Sequence, residues 1–255
     1  MFSREQLVGA LERDELFLAY QPQMQPDGVT MAGVEALVRW HHPKRGPIGP
    51  ADFLGAVEAH GLSDELGTWV LEHACQEGLR WPNLTLSVNV SPTQFQKARF
   101  VERLVERVRE TGFPLARLEL EIVETTFFED PGSAEAQLRH LRSFGIGLAL
   151  DDFGIGYSSL SYLRRMPFTK LKIDKSFIDD VTMMQSAAIV HAVIALGRAL
   201  GLKVTAEGVE TAEQHKFLRI AGCHYLQGYL FSKPVPPAEI DALLSASSLP
   251  LVRSA

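Results

Sequence analysis

Eight short apolar runs, set apart by longer amphipathic stretches, constrain this chain more than any other feature of its sequence. The strand candidates are Phe17–Gln21, Gly33–Trp40, Leu84–Val90, Arg117–Val123, Gly147–Asp151, Lys170–Asp174, Lys203–Glu207 and His224–Gln227. Strands alternating with helices define an α/β fold, and eight is the number that closes a (β/α)8 TIM-like barrel. Helix signals fall between most of the runs. Ser63 is placed to cap a segment carrying Leu66, Trp69, Val70 and Leu79, and Pro92 follows Ser91 at a first-turn position. A helix from Glu135 stops at Gly145, one over Ala187 to Leu200 stops at Gly201, and Thr211 caps Ala212 to Ile220. One connection departs from the pattern. Only a Pro-Asp-Gly turn separates Gln23 from Met31, whereas parallel strands need a crossover of a dozen or more residues. The first strand is therefore expected to run antiparallel to the rest.

Residues 1–255 read as one barrel domain, with no Pro/Ser-rich linker and no internal repeat; the tail from about residue 245 is expected to fray. The 255 residues carry 25 Lys and Arg against 31 Asp and Glu, a net charge of −6 that gives duplex nucleic-acid binding little support. No apolar run approaches a membrane span and no secretory leader is evident, so a cytoplasmic protein is expected, alone or as part of a larger one. Cys75 and Cys223 lie far apart and read as buried thiols.

Chemistry shows in the parity of the strands, since adjacent residues point to opposite faces. Leu84, Leu86, Val88 and Val90 share one face and leave Thr85, Ser87 and Asn89 on the other. Glu35 and Arg39 oppose Val34, Ala36 and Val38; Glu121 opposes Leu120 and Ile122; Asp151 opposes Leu148 and Leu150. Lys172 and Asp174 oppose Leu171 and Ile173, and Glu207 opposes Val204 and Ala206. Interiors of such barrels are ordinarily filled by branched apolar residues, and active sites form at the C-terminal mouth. Here charged and amide groups converge on that mouth. Glu35, Asn89, Glu121, Asp151, Asp152 and Glu207 offer only oxygen ligands, which selects magnesium or manganese over zinc or copper. Asp151 and Asp152 can share the site only if the strand ends between them. Two ions bridged by a carboxylate suit in-line cleavage of a phosphodiester. Arg39 supplies a fork for phosphate and Lys172 a mobile point charge, although either alone could be a surface ion-pair partner. Asp152-Phe153-Gly154 has no accompanying kinase motif, His41-His42 reads as polar loop, and Trp40, Trp69 and Trp81 read as packing.

The ordered motifs resemble a known family. Glu35-Ala36-Leu37-Val38-Arg39-Trp40 is similar to the signature of the EAL-domain cyclic di-GMP phosphodiesterases, bacterial signalling enzymes that yield linear pGpG. Tyr20-Gln21-Pro22, Ser87-Val88-Asn89, Glu121-Ile122-Val123-Glu124, Asp151 to Ser159, Lys172-Ile173-Asp174, Ala206 to Glu210 and Gln227-Gly228-Tyr229 follow in the family's order. Val123 and Thr125 stand where the family has Thr and Ser. The resemblance implies a barrel with an antiparallel first strand and a two-metal hydrolase, with Glu35, Asn89, Glu121, Asp151, Asp152 and Glu207 as metal ligands. It implies Glu35, Lys172 and Glu207 as the catalytic set, Lys172 acting on the attacking water. Gln21, Leu37, Arg39, Asp174 and Gln227 would contact the dinucleotide. Glu124 would anchor the Asp152–Ser159 loop, and that loop with the following helix would form a homodimer contact. Two Mg2+ or Mn2+ ions are the implied cofactors. Ca2+, which takes more ligands at longer distances, is expected to inhibit. The alternative is a catalytically weak or inactive cyclic di-GMP receptor acting through partners; such receptors usually lack several of these acids.

Overall fold

A computed structural model describes residues 2–127, 130–153, 160–181 and 183–247. The strands are β1 (Leu16–Met24), β2 (Met31–His42), β3 (Gly46–Ile48), β4 (Thr85–Val90), β5 (Leu118–Val123), β6 (Gly147–Phe153), β7 (Lys170–Ile173), β8 (Lys203–Ala206) and β9 (Tyr225–Leu226). The helices up to the chain's midpoint are α1 (Arg4–Glu12), α2 (Pro50–Ala59), α3 (Ser63–Gly78), α4 (Pro92–Phe95) and α5 (Phe100–Thr111). Beyond it come α6 (Pro131–Ser143), α7 (Leu160–Arg165), α8 (Lys175–Asp179), α9 (Met184–Ala199), α10 (Ala212–Ala221) and α11 (Pro237–Ser247).

The strands close in the order β1-β2-β4-β5-β6-β7-β8-β9, with β9 returning to β1, so the barrel has eight staves. β1 runs antiparallel to both neighbours, with Gln21 opposite Glu35 and Met24 opposite Leu226; the other staves pair in parallel. The hairpin that forces this is built by Asp27, whose Oδ1 accepts from Val29 N–H and Thr30 N–H, and by Gly28 at φ 73°. β3 was not legible as a strand. It is three residues long and pairs antiparallel with the end of β2, outside the closed ring.

The outward faces of the strands are apolar. Leu86, Leu120, Leu148 and Leu171 lie in one buried cluster with Ala74, Val108, Leu138 and Leu141 from the surrounding helices. Val204 and Leu226 lie in a second, with Val190, Ile194 and Leu218. Each such side chain removed from water stabilises the fold by about 1.5–3 kcal/mol, so the sheet is held from its outside. Its interior is left free for polar residues.

Several boundaries differ from expectation for local reasons. Ser63 opens α3 instead of capping it; Leu62, 2% exposed, takes the cap position, and Asp64 and Glu65 supply first-turn acids. α6 starts at Pro131 because Asp130 caps it by accepting from Ser133 N–H. Thr211 caps α10 as expected, in a reciprocal arrangement with Gln214. α11 runs through Ser247, past the expected onset of fraying. Among the described residues no helix is long and apolar enough to cross a membrane.

Close approach matters most at Gly228. A Cβ there would lie 2.2 Å from the backbone N and O of Val209, while Val209 N–H donates to Gln227 O. Gly228→Ala is expected to destabilise the fold by about 2 kcal/mol, measured by urea unfolding, because backbone rather than a flexible side chain must yield.

Candidate active site

The polar residues of the strands meet inside the C-terminal mouth. Lys172, on β7, is 1% exposed, and its Nζ lies 2.5 Å from Glu121 Oε2 and 2.6 Å from Glu207 Oε1. Asp151 Oδ1 is 3.2 Å away and Glu35 Oε2 3.9 Å. The expected mobile point charge is thus a fixed one. It is buried because β7 is flanked by β6 and β8, which bring Asp151 and Glu207 to either side. Asn89 Nδ2 donates to Glu35 Oε1 at 2.7 Å and Gln227 Nε2 to Glu35 Oε2 at 2.6 Å. Gln227 Nε2 also donates to Gln21 Oε1, and Gln21 Nε2 to Ser232 O. Gln227 Oε1 is buried and has no hydrogen-bond partner among the described residues.

Asp151 and Asp152 come to the mouth differently from expectation. β6 does not end between them. Its register against β7 shifts between Leu150 and Phe153, and Asp152 takes φ 54° in the left-handed region. The resulting bulge re-aims the second acid, and the local strain is acceptable to a short polar side chain. Asp151 Oδ1 accepts from Asp152 N–H at 3.0 Å.

The charges do not balance. Glu35, Glu121, Asp151, Asp152 and Glu207 are five carboxylates against one ammonium, leaving four negative charges if all ionise. Burial, then the charge of Glu35, pushes Glu121 well above the usual carboxylate range. Burial raises Glu207 to about 8 even with Lys172 opposing it. Burial and the neighbouring Asp151 raise Asp152 as well. Glu35 goes the other way: burial would raise it, but Lys172 and the donors from Gln227 and Asn89 hold it low. Burial would likewise lower Lys172, yet Glu121, Glu207, Glu35 and Asp151 keep it well above its ordinary value. A cluster so short of positive charge, made only of oxygen donors, fits a hard divalent cation. Among the described residues no three acidic, His or Cys side chains stand as a preformed metal-holding set, for the acids are gathered on Lys172 instead.

The remaining candidates are spread around this centre. Arg39 and Leu37 continue the Glu35 face of β2 toward the rim and are partly exposed; Arg39 Nη1 donates to Val38 O. Asp174 caps α8 by accepting from Ser176 N–H at 2.9 Å, a structural task that sequence reading did not assign to it. Glu124, 8% exposed, heads a 3-10 turn over Glu124–Phe127 and is close enough to Asp152 to raise its pKa. Of the Asp152–Ser159 loop that it was expected to anchor, residues 154–159 lie outside the described residues, and with them the expected dimer contact on that loop. Trp40 and Trp81 are packing residues, their indole N–H groups donating to Glu15 and Asp241. Cys75 and Cys223 are buried and unbridged. Gln23, Glu119 and Lys170, directly below the mouth, were missed as part of its support. For Glu119 and Lys170 the signal was present in strand parity, two residues before Glu121 and Lys172, but the motifs drew attention only to the upper layer.

A sequence model of the EAL domain matches residues 4–234, and the chain belongs to that family. It is 42% identical over 239 residues to the bifunctional diguanylate cyclase/cyclic di-GMP phosphodiesterase MucR of Pseudomonas aeruginosa, covering 91% of this chain and 35% of that protein. It is 41% identical to the cyclic di-GMP phosphodiesterase NbdA of the same organism, over 95% of this chain and 32% of NbdA. A solved MucR phosphodiesterase structure in complex with c-di-GMP superimposes with a TM-score of 0.89 at 41% identity, covering 92% of this chain and 98% of that one. The chain spans about a third of the length of these curated relatives.

The central ion pairs carry a stability consequence. Lys172→Met leaves Glu121, fully buried, without its cation, and is expected to cost about 3 kcal/mol in urea unfolding at neutral pH.

Proposed function

We propose that this chain hydrolyses one phosphodiester bond of cyclic di-GMP to give linear pGpG, with two divalent cations at the mouth of the barrel. The observation that carries this reading is the gathering of Glu35, Glu121, Asp151 and Glu207 around Lys172 Nζ, with Asn89 hydrogen-bonded to Glu35 and Asp152 next to Asp151, at one mouth of an EAL-domain barrel. The names of MucR and NbdA, and the c-di-GMP in the MucR complex, support the substrate. Those six residues would hold Mg2+ or Mn2+, which when bound polarise the phosphate and acidify a water at neutral pH.

The protein's own side chains have separable tasks in this reading. Arg39, at the rim, offers a planar fork to a phosphate, and Leu37 offers apolar surface beside it. Gln227 and Gln21 orient Glu35 through the 2.6 Å and 3.1 Å hydrogen bonds. Lys172 Nζ keeps Glu121, Glu207 and Asp151 directed at one point, and in this reading its positive charge acts on the attacking water beside them. Glu124 steadies the Asp152–Ser159 loop, and a homodimer formed through that loop and the next helix belongs to the same reading.

Incubation with cyclic di-GMP followed by chromatography tests the activity. Turnover to pGpG is expected with Mg2+ or Mn2+, none with EDTA, and inhibition by Ca2+. Equal turnover in EDTA removes the metal from the mechanism, while tight binding with no product under any cation makes the chain a receptor. Glu35→Ala is expected to abolish turnover, and Arg39→Ala to raise KM more than it lowers kcat. Glu124→Gln is expected to lower kcat on the order of a hundredfold and to shift the manganese dependence, since Asp152 sits at the root of the loop. Superimposable kcat curves against manganese would leave Glu124 an ordinary carboxylate.

A further inference from the structure

Beneath the acidic mouth the barrel holds a second charged layer that the proposed chemistry does not use. Lys170 and Glu119, each 5% exposed, form an ion pair with Nζ 2.5 Å from Oε1. Lys170 Nζ also donates to Gln23 Oε1 at 3.2 Å and lies 4.8 Å from the centre of the Tyr225 ring. Ser87 Oγ donates to Glu119 Oε1 at 2.9 Å, and Gln23 Nε2 donates to Ser87 Oγ at 3.2 Å. The four residues therefore close a ring of hydrogen bonds. From it Gln23 Nε2 reaches upward to Glu121 Oε1 at 3.4 Å. Two glycines leave room for the ring. A Cβ on Gly147 would come within 3.3 Å of Glu119 Cβ, and one on Gly33 within 2.8 Å of Thr85 O and 3.5 Å of Gln23 Oε1.

A primary amide can be turned either way, and only its partners decide which end points where. Here Lys170 decides. With the carbonyl facing the ammonium, the amide N–H2 is left to face Ser87 and Glu121. The flipped orientation would set N–H2 against an ammonium that has donors only, and a carbonyl against a carboxylate. Both contacts would repel. Branched apolar residues could fill this layer without the cost of desolvating two charges. What the charged pair adds is direction. Glu121 is consequently held from both sides, by Lys172 on Oε2 and by Gln23 on Oε1. At 0% exposure it has no water to replace a lost donor.

We propose that Gln23 is a positioning residue, oriented by the Lys170–Glu119 pair beneath it, which fixes Glu121 and through it the arrangement of acids around Lys172. The proposal rests on the reading of this mouth as the phosphodiesterase site. It is tested with Gln23→Met, of similar length but without the amide, and with Glu119→Met/Lys170→Met, which removes both charges together and leaves Gln23 in place. Each is assayed for kcat and KM with cyclic di-GMP, and for Mn2+ affinity without substrate by electron paramagnetic resonance of the free ion. Gln23→Met is expected to lower kcat and Mn2+ affinity each about tenfold while KM changes by less than about twofold. The paired variant is expected to show the same losses, and the triple variant no further loss, because the pair acts through Gln23. Native kcat and Mn2+ affinity in Gln23→Met would overturn the proposal, as would losses that multiply in the triple variant. If Gln23→Met does not fold, the paired variant decides alone: native values refute the proposal and the stated losses support it. If the wild type gives no turnover, the functional reading fails, and the Mn2+ affinities still judge Gln23.

Discussion

A single buried ammonium organises this barrel. Lys172 Nζ stands within ion-pair distance of Glu121, Glu207, Asp151 and Glu35, which reach it from four other staves. Without a cation at that point these carboxylates would have to leave the interior or take up protons, because burying an unpaired charge costs far more than one residue's packing can return. The ammonium holds the acids together but does not neutralise them. That imbalance, in a cluster of oxygen donors, is the chemistry that fits a divalent cation.

The fold makes such an interior tolerable by placing its hydrophobic contacts elsewhere. Leu86, Leu120, Leu148 and Val204 all face outward, beneath the helices. The cavity of the barrel can then be filled in polar layers, with Lys170, Glu119, Ser87 and Gln23 below and the acids around Lys172 above. The antiparallel β1 contributes to both layers, Gln21 reaching toward Gln227 and Gln23 toward Glu121. A stave entering from the opposite direction thus buttresses the site.

Much of this was legible in the sequence, and the failures have physical causes. Strand parity located Glu35, Glu121, Asp151, Lys172 and Glu207 on one face, because a two-residue period leaves little freedom once the alternate positions are apolar. The Pro-Asp-Gly turn dictated the antiparallel first strand. Parity failed at Asp152, where a bulge with a left-handed residue breaks the alternation; strict alternation has no place for two adjacent acids at one mouth. It also could not say that Lys172 is fixed, since burial depends on Asp151 and Glu207 arriving from neighbouring staves. The role of Gln23 was invisible for a similar reason. Its orientation is set by Lys170, 147 positions along the chain, and no local pattern encodes that contact.

The central claim, that Lys172 is the charge on which the acids depend, is tested most directly by a double-mutant cycle in urea between Lys172→Met and Glu121→Gln. Removing both charges together relieves the orphaned carboxylate, so the double variant is expected to be more stable than Lys172→Met alone, with a coupling of about 2 kcal/mol. Destabilisations that simply add would show that Glu121 does not need the ammonium, and would contradict the account.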